Sequence, residues 1–252
     1  DGLITPREAI MYSKNITSLK VVYNLGLSTA LEYGKKSGLI YNSESSKSIA
    51  TLALGEFNND PSDRDGGNTT ILASAYGSFG NKGIRTEAIL YTKVIDSTGK
   101  VILDKTADTT KLFSEETAYI MYDILKGPVT GFDAGGAKFG DIPVAGKSGT
   151  TDNSDSFWFS GLTPYYSASV WIGYDMPTKL NGYSSSAASL WGDVMGVVHQ
   201  GLSYKEIEKP STVVTATVCR DSGKLATDLC AQDQRGSRVR TEYFIEGTQP
   251  TT

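Results

Sequence analysis

The run Lys147-Ser148-Gly149-Thr150-Thr151, inside PVAGKSGTTDNSDSFWF (143–159), sets one ammonium and three hydroxyls around a glycine. Such a run can cradle a phosphate, line an acyl-transfer site or form an ordinary turn. A phosphate loop needs Gly, four residues, then Gly-Lys-Ser/Thr. The position for its first glycine holds Asp141, Gly140 is one residue out of place, and Pro143 stiffens the approach. On a strand, Lys147 and Gly149 point one way and Ser148 and Thr150 the other. Gly149 then lets a substrate backbone approach, the Thr150 N–H becomes an oxyanion donor, and the lysine and hydroxyls can bind a carboxylate.

A second group of the same chemical kind is Ser13-Lys14-Asn15, the chain's single Ser-x-Asn. Ser13 and Lys14 can relay a proton, and the Asn15 amide can hydrogen-bond a peptide group. Taken alone, the triplet also fits an ordinary helix C-terminus.

These groups need elements to hold them. Thr5, Pro6 and Glu8 form a capping box that starts a short helix running into Ser13. Further helices are expected over 16–26, stopping at Gly26, from Ser28 to before Gly38, and over 68–80. The β-branched segment 86–106 reads as a hairpin around Ser97-Thr98-Gly99. A capped helix over 114–127 leads into a Gly-rich loop, then three strands at 143–151, 156–162 and 166–175, then a helix over 185–202. From about Pro210 the pattern changes to a small β appendage. Helices, consecutive strands and a closing helix predict an α+β fold, an antiparallel sheet packed between helices.

The 252 residues are 39% hydrophobic, enough for a sizeable core. A formal net charge of -4 with no basic run argues against a nucleic-acid partner. No stretch approaches the ~20 apolar residues of a membrane span, and DGLITPREAI lacks a signal-peptide pattern. Cys219 and Cys230 without nearby His do not make a zinc site. They read as a small disulfide loop in preference to two free thiols, which would indicate an oxidising compartment. No metal or cofactor is indicated, and DAGGAKFGD (133–141) has too few carboxylates for a calcium site. His199 reads as a packing or surface residue, and Asp155 as a turn former or a brace for the loop after the KSGT strand.

In this order, Ser-x-Asn and Lys-Ser-Gly resemble the transpeptidase domain of penicillin-binding proteins, nearest the bifunctional class A enzymes. TPREAIMYSKNITSLKV is similar to the family's segment around Ser-x-Asn, and TTILASAYGSFGNKG to its helix ending in Asn-x-Gly. VAGKSGTTDNSDSFWFSGLTPYYSASVWIGYD is similar to its Lys-Thr-Gly strand and the two strands that follow. VCRDSGKLATDLC resembles a class A C-terminal extension. The resemblance implies the penicillin-binding protein/serine β-lactamase-like fold, with residues 1–209 as an N-terminally incomplete transpeptidase domain and 210–252 as the extension. It implies a DD-transpeptidase acting on peptidoglycan stem peptides through a serine acyl-enzyme and acylated by β-lactams. Its setting would be the extracytoplasmic face of the bacterial membrane. Ser13, Asn15 and Lys147 would be catalytic, and Ser148, Gly149, Thr150 and Thr151 substrate-binding. The rivals are a carboxypeptidase or β-lactamase that uses water, and a catalytically dead binding or sensing module.

One part of the pattern is missing. The family's nucleophile is the serine of a Ser-x-x-Lys some tens of residues before Ser-x-Asn, and the only Ser-x-x-Lys here is Ser97 to Lys100, in the expected hairpin turn. The nucleophile is therefore expected on a missing N-terminal segment or on a separate, clipped partner chain, together with the first sheet strands, and the class A resemblance further implies an upstream glycosyltransferase domain and a membrane anchor. The chain by itself is expected to fold poorly and to be inactive.

Overall fold

A computed structural model describes residues 3–57, 62, 64–183 and 185–251. Helix α1 (Pro6–Met11) carries the expected capping box, with Thr5 accepting from the Glu8 N–H and the Glu8 side chain reaching back to Thr5. Helices α2 (Asn15–Leu25) and α3 (Leu27–Lys36) are parted by Gly26. A short α4 (Ile49–Leu54) follows, capped by Ser48, and then α5 (Thr69–Gly80), capped by Asn68.

Four short strands come next. β1 (Ile84–Thr86) pairs with β4 (Thr109–Lys111), and β2 (Lys93–Ile95) with β3 (Val101–Asp104). Asp96 closes the β2–β3 turn by accepting from Thr98 and Lys100, and Gly99 sits at φ 86°. Ser97 is thus a turn residue, not the head of a helix.

Helix α6 (Glu115–Gly131) outlasts its expected end by a full turn and runs through Pro128. Proline removes one helical hydrogen bond. Burial of Leu125, Pro128 and Val129 outweighs that loss. Strands β5 (Ala145–Thr150), β6 (Ser156–Leu162) and β7 (Ser167–Gly173) form an antiparallel sheet in that order. Helix α7 (Ser185–Val198) covers one face, where Trp191, fully buried, packs edge-on against Phe159 at 5.3 Å. On the other face, Tyr122 and Leu125 of α6 meet Ala145 and Leu162, with Tyr76 and Phe79 of α5 against them. An antiparallel sheet between helices is the α+β arrangement expected.

Strands β8 (Val213–Cys219) and β9 (Val239–Ile245) pair around the single-turn α8 (Asp228–Ala231). This unit is clamped to the helices. Arg7 of α1 is buried and bonds Asp123 of α6 and Glu242 of β9, both at 2.6 Å, while Glu8 pairs with Arg220. Thr212 donates to Glu116 at 2.7 Å, and Tyr119 meets Tyr243 edge to face. Removing one partner of a buried ion pair strands the other charges. Arg7→Ala is therefore expected to destabilise by about 3 kcal/mol, seen as a lower melting temperature with early proteolytic release of 210–252. Release of that segment at the wild-type rate would contradict the clamp.

The fold brings the two cysteines of the C-terminal unit side by side. Cys219 and Cys230 lie together as free thiols, with a hydrogen bond between their side chains that lowers the Cys219 thiol pKa. Pairing of β8 with β9, and the Arg238 N–H bond to the Cys230 carbonyl, also hold the loop.

Candidate active site

The site is built on β5, an edge of its sheet. The Thr151 N–H donates to the Ser156 carbonyl at 3.2 Å, and the pairing holds one register from there to Ala145↔Leu162. In an antiparallel ladder, bonded and non-bonded pairs alternate. Residues 147 and 149 therefore bond to β6, and the N–H groups of Gly146, Ser148 and Thr150 point to the open edge. Gly146 is required by packing, since a Cβ there would lie 2.5 Å from the Phe159 ring and 2.7 Å from the Ser160 carbonyl.

Side chains alternate as the sequence implied. Lys147 continues the Ala145 face toward α6, and Ser148 continues the Val144 face toward α7. Lys147 Nζ donates to Ser148 Oγ and to the Ser148 carbonyl, both at 3.1 Å, and Ser148 Oγ donates to Asp133 Oδ2 at 2.7 Å. Burial lowers the lysine pKa, and the Asp133 charge offsets that only in part. The second oxygen of Asp133 is buried and makes no hydrogen bond among the described residues.

Asp133 was not among the expected site residues. It lies just beyond α6, in a segment weighed only as a calcium loop, and no motif connects it to Lys147 fourteen residues later. Its contact also changes the reading of Ser148. The single hydroxyl proton goes to Asp133 and is not free for a substrate carboxylate. Thr151 is likewise engaged. Its hydroxyl donates to Asp155 at 2.5 Å and accepts from the N–H groups of Asp155 and Ser156, each at 3.1 Å, so the pair braces the β5–β6 turn. Thr150 remains exposed beside them.

Ser13 sits where α1 ends. The Lys14 N–H bonds the Ala9 carbonyl at 2.8 Å and the Ser13 N–H bonds the Ile10 carbonyl at 3.3 Å. This is a Schellman C-cap whose left-handed residue is normally glycine. Ser13 fills it at φ 51°, leaving its side chain exposed, and Asn15 opens α2 on the far side of the turn.

Packing carries this turn toward β5. The Met11 methyl lies where a Cβ on Gly131 would meet it at 2.5 Å, and Tyr12 stands edge-on to Phe132 at 5.3 Å. Phe132 precedes Asp133, and Asp133 holds Ser148. Ser13 is thus linked to Lys147 through Tyr12, Phe132, Asp133 and Ser148, and among the described residues no hydrogen bond joins the two directly.

His199 is buried, bonded to Thr163 at 2.8 Å and to the Met195 carbonyl at 2.7 Å, among the rings of Phe139, Tyr165 and Tyr166. It is a packing residue. No helix among the described residues is long and apolar enough to cross a membrane, and no group of His, Cys, Asp and Glu among them could hold a metal ion.

The sequence pattern of the penicillin binding protein transpeptidase domain matches residues 1–196. The chain belongs to this family. That of the penicillin-binding protein 1A C-terminal domain matches residues 209–252, which gives the class A order of the two segments. Penicillin-binding protein 1A of Clostridium perfringens is 52% identical over 252 residues, covering 99% of this chain. Its counterpart from Clostridium botulinum is 49% identical over the same span. The chain spans 30% of the length of each. Among solved structures, penicillin-binding protein 1A of Haemophilus influenzae matches with TM-score 0.77 at 20% identity, covering 100% of this chain and 41% of that one. Mycobacterium tuberculosis PonA1 matches with TM-score 0.66 at 21% identity, covering 82% and 59%. These two similarities establish the penicillin-binding transpeptidase fold.

Proposed function

We propose that residues 1–209 and 210–252 belong to a peptidoglycan DD-transpeptidase that cross-links stem peptides through a serine acyl-enzyme. The observation that carries this reading is an open strand edge bearing Lys147 and the outward Thr150 N–H, packed through α6 against the Ser13–Asn15 turn. The nucleophilic serine lies outside residues 1–252. Support comes from Ser97, the one serine with a lysine three residues on, which occupies an exposed hairpin turn.

The serine oxygen attacks the carbonyl of the D-Ala-D-Ala bond, and the C–N bond breaks. Its proton passes by way of Ser13 to the departing D-Ala amine. Lys147 stays cationic and stabilises the tetrahedral oxyanion intermediate with the Thr150 N–H. Asn15 orients the substrate amide. An amine from a second stem then attacks the ester, forming the cross-link and returning a proton to the serine. A β-lactam acylates the same serine. The protein works at the extracytoplasmic face of the bacterial membrane, with a peptidoglycan glycosyltransferase in the same polypeptide.

A fluorescent penicillin tests the reading. The complete protein is expected to be labelled covalently, and a stem-peptide thioester to be transferred to an added D-amino acid faster than to water. Failure to label removes the acyltransferase reading, and release to water alone replaces transpeptidation with hydrolysis.

A further inference from the structure

The Asp133 carboxylate already occupies the hydroxyl that a substrate carboxylate would need. Ser148 has one proton, and the 2.7 Å bond to Asp133 Oδ2 takes it, while Lys147 donates to the Ser148 hydroxyl oxygen. The three groups form one chain in which each donor has a direction: ammonium to hydroxyl, hydroxyl to carboxylate. The exposed neighbour Thr150 and the cation of Lys147 are what remain for an incoming anion.

The geometry points to Asp133 as a specificity-determining residue, an internal carboxylate that competes with the terminal carboxylate of an acyl donor for Ser148 and disfavours it by like charge. This rests on the acyl-transfer reading of the site. Two carboxylates sharing one hydroxyl stand within a few ångströms of each other, where like charges in a partly buried site repel by more than the equivalent of a tenfold change in binding. Specificity set by a repulsive group acts on one class of ligand and spares the other. Asp133 therefore lowers the advantage that a carboxylate-bearing donor has over its neutral analogue.

Asp133→Asn keeps a carbonyl oxygen that can accept from Ser148 and removes only the charge. The complete protein, wild type and variant, is acylated with a depsipeptide ending in a free carboxylate and with its carboxamide. The ratio of the two second-order rates is expected to rise about tenfold in the variant, even if both rates change through the loss of support for the Lys147 charge. A ratio unchanged within twofold overturns the proposal. Asp133→Thr is measured alongside, with a shorter neutral side chain, so that a folding defect in one variant leaves the other to decide. If wild type is not acylated by either donor, the acyl-transfer reading has failed instead, and the two failures are told apart by that control.

Discussion

Replacing Lys147 with alanine lowers the rate of penicillin acylation of the complete protein by about 100-fold or more, the scale on which loss of one electrostatic group at a reacting carbonyl is felt. The effect follows from position. The ammonium is fixed by two hydrogen bonds on the edge strand, and burial strengthens its field while lowering its pKa. A depressed lysine pKa means that the cation is complete at low pH and is lost below the ordinary value of 10.5 as pH rises. The alkaline limb of acylation is therefore expected below 10.5. Because the Asp133 charge raises the lysine pKa, Asp133→Asn moves that limb further down. Acylation by Lys147→Ala at the wild-type rate removes this residue from the site.

Ser13→Gly is expected to separate stability from activity. Ser13 holds a left-handed conformation at the C-cap of α1, where a side chain costs about 1 kcal/mol and glycine costs none. The variant loses that strain, offset in part by the greater freedom of glycine in the unfolded chain, so its melting temperature equals or exceeds that of wild type. Acylation falls by about 100-fold, because the proton relay loses its hydroxyl. Ser13→Ala keeps the strain and loses the same rate. A marked fall in melting temperature for Ser13→Gly would show that the hydroxyl serves folding and not chemistry.

Part of the site is legible from sequence because Ser-x-Asn and Lys-Ser-Gly are short local patterns in a fixed order, whereas the left-handed strain at Ser13 shows only in the folded chain. Capping signals at Thr5, Ser114 and Gly26 likewise identify helix ends, since each satisfies backbone groups locally. Lys147 and Ser148 fall on their expected faces because strand alternation is a property of the backbone.

Contacts made at a distance were not legible. Pro128 reads as a helix stop, yet its burial beneath the sheet carries α6 on to Gly131. The β1–β4 pair joins three-residue strands too short to show a period. Asp133 and the Arg7 clamp owe their roles to partners 15, 116 and 235 residues away, which only the folded chain brings near. Thr151 looked like a neighbour of the substrate because it extends the motif, and the turn that claims its hydroxyl depends on Asp155 being buried.

The most direct test is to label the complete protein with a penicillin, digest it and locate the adduct by mass spectrometry. The predicted result is a single penicilloyl ester on a serine outside residues 1–252, lost when excess unlabelled β-lactam is added first. An adduct on Ser13, Ser97, Ser148 or any other serine within 1–252 would contradict the site described for this chain.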